Sequence, residues 1–192
     1  MRLKVAVLIS GNGSNLQALM DATKPPNYPA EIVLVLSNKA DAYGLERAKK
    51  AGVPTVVISH KDFPDRETFD RTMDAELRKH GVEFLCLAGF MRILSPWFTR
   101  EWAGKAINIH PSLLPAYKGT DTHKRVLEAR EQKHGCTVHW VTEELDSGAI
   151  IAQSALYVMP NDTAETLQQR VHALEHALYP EALKKVVKRN PA

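Results

Sequence analysis

The hydrophobic residues of the first half of the chain fall into short, nearly continuous runs. These runs cover residues 5–9, 32–36, 55–58, 84–88 and 106–109. A β-strand with one solvated face alternates polar and apolar side chains, whereas a strand buried on both faces is apolar throughout. The runs therefore predict the strands of a parallel sheet that helices cover on both sides.

Amphipathic segments separate these runs. Residues 69–77 carry a large apolar side chain at every fourth position, and His80 followed by Gly81 is a suitable helix end. Residues 45–50 form a shorter pattern of the same kind. Strands that alternate with helices are typical of a doubly wound α/β sheet with right-handed crossovers.

The alternation of strands and helices ends in the second half of the chain. Residues 136–141 and 149–158 predict two strands with only the loop at 142–148 between them. Strands joined so closely pair in antiparallel fashion. The pattern as a whole predicts an α/β fold: a doubly wound, mostly parallel sheet with helices on both faces and an antiparallel strand pair in the C-terminal part.

A long amphipathic helix is predicted near the C-terminal end of the sequence. Asp162 and Glu165 have the spacing of a capping box in which Asp162 is the N-cap. The predicted buried stripe consists of Leu167, Val171, Leu174 and Leu178. Pro180 either kinks this helix or begins a separate one.

Length and composition narrow the class of protein. The 192 residues suit one domain, so we expect residues 1–192 to form it. The net charge is only +3 and the basic residues are scattered, so no nucleic-acid interface is predicted. Cys86 and Cys136 lie in apolar runs without disulfide or metal-ligand spacing, which is typical of a reducing compartment. The first apolar run is too short for a signal peptide or a membrane span, so we expect a cytoplasmic protein without membrane contact.

A glycine-rich turn follows the first strand. It reads Ser-Gly-Asn-Gly-Ser-Asn at residues 10–15 and leads into a helical pattern. Glycines allow close approach of a ligand, and a helix N-terminus attracts phosphate. The turn lacks the Gly-Lys-Ser/Thr ending of a P-loop, and Leu16 occupies the third glycine position of the dinucleotide fingerprint. A phosphate site and a tight turn capped by Ser14 or Asn15 both remain possible at this point.

Two polar side chains share one face of the last predicted parallel strand. Asn108 and His110 are two residues apart, at the strand's C-terminal end, where open α/β sheets bind ligands. An amide and a protonated imidazole aimed at one point can stabilise a developing oxyanion. The alternative is a structural hydrogen-bonded pair that braces the loop before Pro111.

A carboxylate that orients the imidazole would complete such a site. The loop at 142–148 offers Asp146, which precedes a small, flexible Ser-Gly pair. Glu143 and Glu144 compete with it on sequence grounds, and an ordinary solvated acidic loop is the default interpretation.

The string His-Ala-Leu-Glu-His at residues 172–176 matches a zinc-protease motif. Helical periodicity turns His172 and His176 towards solvent and places Glu175 at the border of the apolar stripe. We therefore predict no metal site.

Four segments, 10–15, 87–94, 108–115 and 144–148, stand in the order and spacing of one known family. With them the chain resembles, over essentially its whole length, the folate-dependent phosphoribosylglycinamide formyltransferases. The Asn-x-His-Pro-Ser-Leu-Leu-Pro segment at 108–115 marks the wider formyltransferase superfamily, and the turn at 10–15 points to the glycinamide branch.

The resemblance implies roles for individual residues. Carried over by position, the catalytic residues are Asn108, His110 and Asp146. The residues that bind the substrate phosphate and ribose are Gly13, Ser14, Asn15 and Glu175. The residues that bind folate are Arg66, Met91, Arg92, Ile93, Leu94 and Asn108. Asp121 and His172 depart from the family pattern, and their roles stay open.

The resemblance also implies the reaction and the partners. The N-terminal half would bind the phosphate or nucleotide and the C-terminal half the folate. The co-substrate would be 10-formyltetrahydrofolate, without a metal, and the partners small molecules only, with the protein a monomer or homodimer. The acceptor would be the amine of phosphoribosylglycinamide, in purine biosynthesis.

Three rival functions use parts of the same pattern. A formyltransferase acting on methionyl-tRNA or an amino sugar would keep the catalytic trio, but we expect the tRNA enzyme to carry an extra basic domain. A formyltetrahydrofolate hydrolase would use water as acceptor, and we expect it to have an additional N-terminal domain. A flavodoxin-like phosphate-binding module would explain the turn at 10–15 but not Asn108, His110 and Asp146.

Overall fold

A computed structural model describes residues 1–189. The last three residues of the predicted domain, 190–192, lie outside the described part. The strands are β1 (Leu3–Ile9), β2 (Ala30–Ser37), β3 (Thr55–Val57), β4 (Phe84–Leu87), β5 (Ala106–His110), β6 (Lys133–Trp140) and β7 (Ile150–Tyr157). The helices are α1 (Ser14–Thr23), α2 (Tyr43–Lys50), α3 (Arg66–Lys79), α4 (Pro96–Glu101), α5 (Thr122–Glu128) and α6 (Ala164–Arg189).

All of these strands join one sheet in the order β3-β2-β1-β4-β5-β6-β7. Strands β1 to β5 run parallel, whereas β6 and β7 are antiparallel to their neighbours. The predicted fold class is therefore confirmed. The strand order reverses between β1 and β4, so the C-terminal ends of the central strands open onto a crevice where α/β folds bind ligands.

Two hydrophobic cores explain the continuous apolar runs. In β1, Val5, Val7 and Ile9 pack into the core on one face of the sheet. Ala6 and Leu8 of the same strand pack into the core on the other face. Because helices cover both faces, residues 5–9 of this strand are all buried and apolar, and only its first two residues reach the surface.

The short helices α4 and α5 are absent from the predicted elements. They have six and seven residues, too few for an apolar period to show. Local signals for α4 exist, however: the Ser95 side chain accepts a hydrogen bond from the Phe98 amide, and Pro96 is the first helical residue.

The predicted capping box of α6 is wrong by one residue. Thr163 Oγ1 accepts a hydrogen bond from the Thr166 amide at 3.2 Å, and Thr166 Oγ1 accepts one from the Thr163 amide at 2.8 Å. The Asp162 carboxylate instead accepts hydrogen bonds from the Met159 amide and the Arg170 guanidinium. Asp162 therefore closes the turn before the helix, and Thr163 takes the capping position.

The predicted apolar stripe of α6 is half right. Its buried row continues as Leu167, Val171, Glu175 and Tyr179. Leu174 and Leu178 are only partly buried. Helix α6 packs against α1, β6 and β7, and Glu175 belongs to its buried row, so the Glu175 carboxyl lies inside the protein.

Two further points concern Pro180 and the cysteines. Pro180 lies within a continuous α6, and its carbonyl oxygen accepts a hydrogen bond from the Tyr28 hydroxyl at 2.7 Å. Cys86 and Cys136 are buried free thiols, and burial raises the pKa of each to about 12. No helix in residues 1–189 is both long and apolar enough to cross a bilayer.

Candidate active site

The C-terminal end of β5 carries the predicted amide and imidazole. Asn108 and His110 project from the same face of this strand, as their spacing requires. Across the sheet, Asn108 is paired with His139 and His110 with Thr137 of β6. The antiparallel partner strand therefore delivers further side chains to the same place.

His110 is buried between a carboxylate and a backbone carbonyl. Its Nδ1 lies 3.5 Å from Asp146 Oδ1, and its Nε2 lies 2.8 Å from the Tyr117 carbonyl oxygen. The competing carboxylates Glu143 and Glu144 are exposed to solvent. Of the three acidic residues in this loop, the structure thus brings Asp146 to the imidazole.

The backbone around Asp146 explains how its carboxylate reaches inward. Asp146 adopts a left-handed conformation with φ 52°, which turns the chain sharply at this residue. Its Oδ2 accepts a hydrogen bond from the Gly119 amide at 2.9 Å. Gly119 itself has φ 84°, a conformation that favours glycine. The carboxylate therefore ties the loop after β5 to the loop after β6.

His139 is a site residue that sequence reasoning missed. It is buried, and burial lowers its pKa, so the ring is neutral at physiological pH. Its Nδ1 donates to the Trp140 carbonyl at 2.9 Å, which leaves Nε2 to accept from Asn108 Nδ2 at 3.3 Å. This hydrogen bond fixes which way the Asn108 amide points. A polar residue inside the apolar run 136–141 was the available signal.

The two nitrogens of His110 both face acceptors. A doubly protonated ring satisfies the Asp146 carboxylate and the Tyr117 carbonyl together, whereas a neutral ring satisfies one of them. In that doubly protonated form, the ring donates from both nitrogens at once. For His110 Nε2 to donate a hydrogen bond directly to a ligand, its hydrogen bond to the Tyr117 carbonyl oxygen must break.

A cleft opens beside this group between the loop after β4 and the loop after β6. Its lining residues are Leu87, Phe90, Arg92, Ile93, Leu94, Asn108, His139 and residues 141–146. The predicted folate residues Arg92, Ile93, Leu94 and Asn108 are among them. The Met91 side chain is 66% exposed and does not line the cleft. Arg66 lies apart, in a surface depression at the start of α3.

The glycine-rich turn presents the N-terminus of α1 to the same edge of the sheet. Gly13 is the N-cap residue, with φ 79°, and no side chain caps the helix. Ser14 and Asn15 lie inside the first turn, so the alternative of a turn capped by either side chain is wrong. The first amides of a helix have no intrahelical partner and can meet an anion.

Glu175 faces this helix N-terminus from α6. Its Oε1 accepts a hydrogen bond from Asn15 Nδ2 at 3.3 Å. Glu175 Oε2 and Asn15 Oδ1 are buried acceptors that have no hydrogen-bond donor in the described residues. Burial raises the pKa of Glu175 to about 7, although the Asn15 amide opposes this shift. Buried acceptors without donors suit a ligand that brings hydroxyl groups.

The predicted orientation of the two α6 histidines towards solvent is only partly right. His172 is half-buried, with Nε2 3.8 Å from Glu175 Oε2. His176 Nε2 is buried without a hydrogen-bond partner in the described residues. Burial lowers the pKa of both rings. Within residues 1–189, no group of three or more histidine, cysteine or acidic side chains is arranged to hold a metal ion.

A second histidine pair links α5 to β6. His123 Nδ1 is 3.0 Å from His134 Nε2, and burial lowers the pKa of each to about 4. Asp121, just before α5, is exposed and left-handed, with φ 54°.

Comparison with known proteins identifies the family of this chain. The family model described as formyl transferase matches residues 3–183. The chain belongs to the formyl transferase family. This confirms the family suggested by the four sequence segments.

Several named relatives of this formyl transferase are similar over nearly its whole length. Phosphoribosylglycinamide formyltransferase of Escherichia coli K12 is 47% identical over 93% of this chain and 84% of that protein. The crystal structure of phosphoribosylglycinamide formyltransferase from Brucella melitensis is 49% identical, with a TM-score of 0.93, over 96% of this chain and 95% of that one.

A longer relative contains a similar segment. The trifunctional purine biosynthetic protein adenosine-3 of Drosophila pseudoobscura pseudoobscura is 59% identical over 95% of this formyl transferase. The chain spans only 14% of that relative's length.

The buried Glu175 of this formyl transferase makes a pH-dependent contribution to stability. Its folded pKa of about 7 lies above the ordinary value of 4.5, so this contribution is lost as the pH rises through 7. Between pH 4.5 and 8, the Glu175 carboxyl should lower the free energy of unfolding of the wild type by about 3 kcal/mol. Glu175→Gln, which has no group that titrates there, should not show this decrease. Urea denaturation across this pH range measures it. Glu165→Gln, an exposed position of the same helix, is the control, and parallel wild-type and Glu175→Gln curves would contradict the assignment.

Proposed function

We propose that this chain transfers the formyl group of 10-formyltetrahydrofolate to the amine of phosphoribosylglycinamide. The products are formylglycinamide ribonucleotide and tetrahydrofolate, in de novo purine biosynthesis. The observation that carries the proposal is the convergence of Asn108, His110 and Asp146 at the end of the sheet, beside a cleft. The names of the Escherichia coli and Brucella melitensis relatives support this choice of acceptor.

The folate occupies the cleft between the loops after β4 and β6. Arg92, Ile93 and Leu94 line one wall of the cleft, and residues 141–146 line the other. Both halves of the chain thus contribute to the folate site, beyond the C-terminal half alone. Met91 contributes its backbone, because its side chain points to solvent. Arg66 attracts the carboxylates of the folate from the start of α3.

The phosphoribosyl part of the acceptor occupies the other end of the site. The phosphate meets the amides of Gly13, Ser14 and Asn15 at the N-terminus of α1. The ribose hydroxyls donate to the Glu175 carboxyl, whose Oε2 otherwise lacks a donor. The glycinamide amine then extends towards Asn108 and His110.

The first chemical step is attack of the neutral amine on the formyl carbon. A carbon–nitrogen bond forms, and the π electrons of the carbonyl move onto the formyl oxygen. Asn108 donates a hydrogen bond to this oxyanion through the amide hydrogen that His139 leaves free. The His110 imidazolium, held by Asp146, stabilises the negative charge electrostatically.

The second step is collapse of the tetrahedral intermediate. The oxyanion re-forms the carbonyl, and the bond from the formyl carbon to the folate nitrogen breaks. The attacking nitrogen loses one proton and the departing nitrogen gains one, so the overall charge is unchanged. A water bound by Asp146 relays this proton. No side chain forms a covalent bond to the formyl group.

The remaining assignments follow from this reaction. The partners are small molecules only, 10-formyltetrahydrofolate is a co-substrate, and no metal takes part in the proposed steps. A cytoplasmic location suits a purine-biosynthetic enzyme. The protein works as a monomer or homodimer, and each chain contributes every group in the scheme.

One assay separates this function from its rivals. The protein is incubated with 10-formyltetrahydrofolate, with and without phosphoribosylglycinamide, and the absorbance change of deformylation is followed. We expect a change only when the nucleotide is present. A change without it indicates a hydrolase, and no change in either mixture indicates a binding module or another acceptor.

A further inference from the structure

Ser10, the first residue after β1, joins three segments of the chain through one hydroxyl group. This side chain is buried, and its Oγ donates a hydrogen bond to Asn38 Oδ1 at 2.5 Å. The same Oγ accepts a hydrogen bond from the Met91 amide at 2.7 Å. Asn38 directly follows β2 and is also buried. Because its proton is committed to Asn38, the Ser10 hydroxyl holds the protein scaffold and has no proton for a ligand.

The folate loop, residues 91–94, begins at the Met91 amide, which is held by its hydrogen bond to Ser10. The loop follows Gly89, whose φ of 73° turns the chain away from β4. Packing does not hold its beginning, since the Met91 side chain is exposed. At its other end, the Ser95 amide donates to the buried Asp70 Oδ2 at 2.6 Å. The folate loop is therefore held at both ends by buried side-chain oxygens.

The other side of Ser10 is the phosphate-binding turn. Gly11 accepts a hydrogen bond from the Gly44 amide through its carbonyl oxygen at 3.0 Å. The Arg47 guanidinium donates to both the carbonyl and the side-chain oxygen of Asn12. These contacts with α2 make the turn one stiff unit that includes Ser10. A ligand that shifts this unit also shifts the hydroxyl on which the folate loop depends.

We infer that Ser10, together with Asn38, is a positioning residue that couples the two substrate subsites. Each ligand fixes the position of the shared hydroxyl, so the second ligand meets a loop or turn that is already held in its binding position. The coupling is reciprocal: each substrate raises the affinity for the other by the same factor. The inference rests on the proposed function, because that function assigns the folate to residues 91–94 and the phosphate to the turn.

A non-reactive pair of ligands tests the coupling directly. Tetrahydrofolate, which lacks the formyl group, is titrated calorimetrically into the protein with and without saturating phosphoribosylglycinamide. For the wild type we expect the nucleotide to tighten tetrahydrofolate binding about fivefold. In Ser10→Ala, tetrahydrofolate should bind about fivefold more weakly in the absence of the nucleotide. Adding phosphoribosylglycinamide should then leave this affinity unchanged. The kcat of this variant at saturation should stay within about threefold of the wild type.

Thr23→Val is the matched control. The Thr23 hydroxyl is also buried, and it donates to the Leu19 and Met20 carbonyls at the far end of α1. Its loss should lower thermal stability while the coupling stays at the wild-type value. Asn38→Ala removes the acceptor of the Ser10 hydroxyl and should reproduce the binding defects of Ser10→Ala.

The outcomes separate this inference from the proposed function. Equal coupling in the wild type and Ser10→Ala, or no coupling in an active wild type, overturns the inference alone. Absence of formyl transfer by the wild type overturns the proposed function. If circular dichroism shows that neither Ser10→Ala nor Asn38→Ala folds, the hydroxyl is a structural requirement and the positioning role is rejected.

Discussion

His110→Ala should lower kcat by about a thousandfold, with KM for both substrates changed by less than about threefold. The imidazole is buried against Asp146 at the reacting end of the sheet, and no other side chain of β5 can supply its charge. Its positive charge acts mainly in the transition state, where the formyl oxygen becomes negative, so substrate binding changes little. Steady-state formyl-transfer kinetics measure both constants.

A histidine away from the site provides the control. His80, at the end of α3, is half-buried and bonded to the Glu76 carbonyl oxygen. His80→Ala should leave kcat within about twofold of the wild type. Nearly full activity of His110→Ala would show that the charge of this ring is not required and would remove it from the mechanism.

Gly13→Ala should lower the free energy of unfolding by about 3 kcal/mol. It should also raise KM for phosphoribosylglycinamide at least tenfold, which corresponds to a loss of about 1.4 kcal/mol in binding free energy. Two costs add at this residue. A Cβ atom there would lie 2.6 Å from the Gly44 Cα, so backbone must move, and φ is 79°. The shift of the turn would also displace the amides that meet the phosphate. Urea denaturation and steady-state kinetics measure the two effects.

Gly52 separates the steric cost from the conformational one. It has φ 73°, but a Cβ atom there would meet nothing within 4 Å. Gly52→Ala should therefore cost only about 1 kcal/mol of stability and leave KM unchanged. Equal losses in the two variants would mean that the contact between Gly13 and Gly44 does not shape the phosphate site.

The parallel sheet was predictable because burial on both faces makes successive residues of a strand apolar. In β1, neighbouring residues such as Val7 and Leu8 belong to different cores, and both must be apolar. The α6 cap was not predictable at this level, since Asp162 and Thr163 are both good caps and only the turn at Met159 decides between them. The sequence placed Glu175 at the border of the apolar stripe and not in the buried row, because sequence patterns treat a carboxyl as a surface group.

The sequence predicts site residues that lie two apart in one strand. It does not predict those that come together only because two strands pair. Asn108 and His110 share a face by virtue of being two apart in one strand. His139 reaches Asn108 only through the register between β5 and β6, which no local pattern encodes. The carbonyl that faces His110 belongs to Tyr117, whose left-handed conformation, φ 54°, is equally invisible in the sequence.

A double-mutant cycle between His110 and Asp146 tests the central claim, that an imidazole and a remote carboxylate act as one unit on the formyl group. The measurement is kcat for His110→Ala, Asp146→Ala and the double variant in the formyl-transfer assay. If the carboxylate works mainly through the ring 3.5 Å away, the double variant should be no more than about threefold slower than the slower single variant. A double variant whose loss equals the product of the two single losses would mean that the residues act independently, contrary to this account.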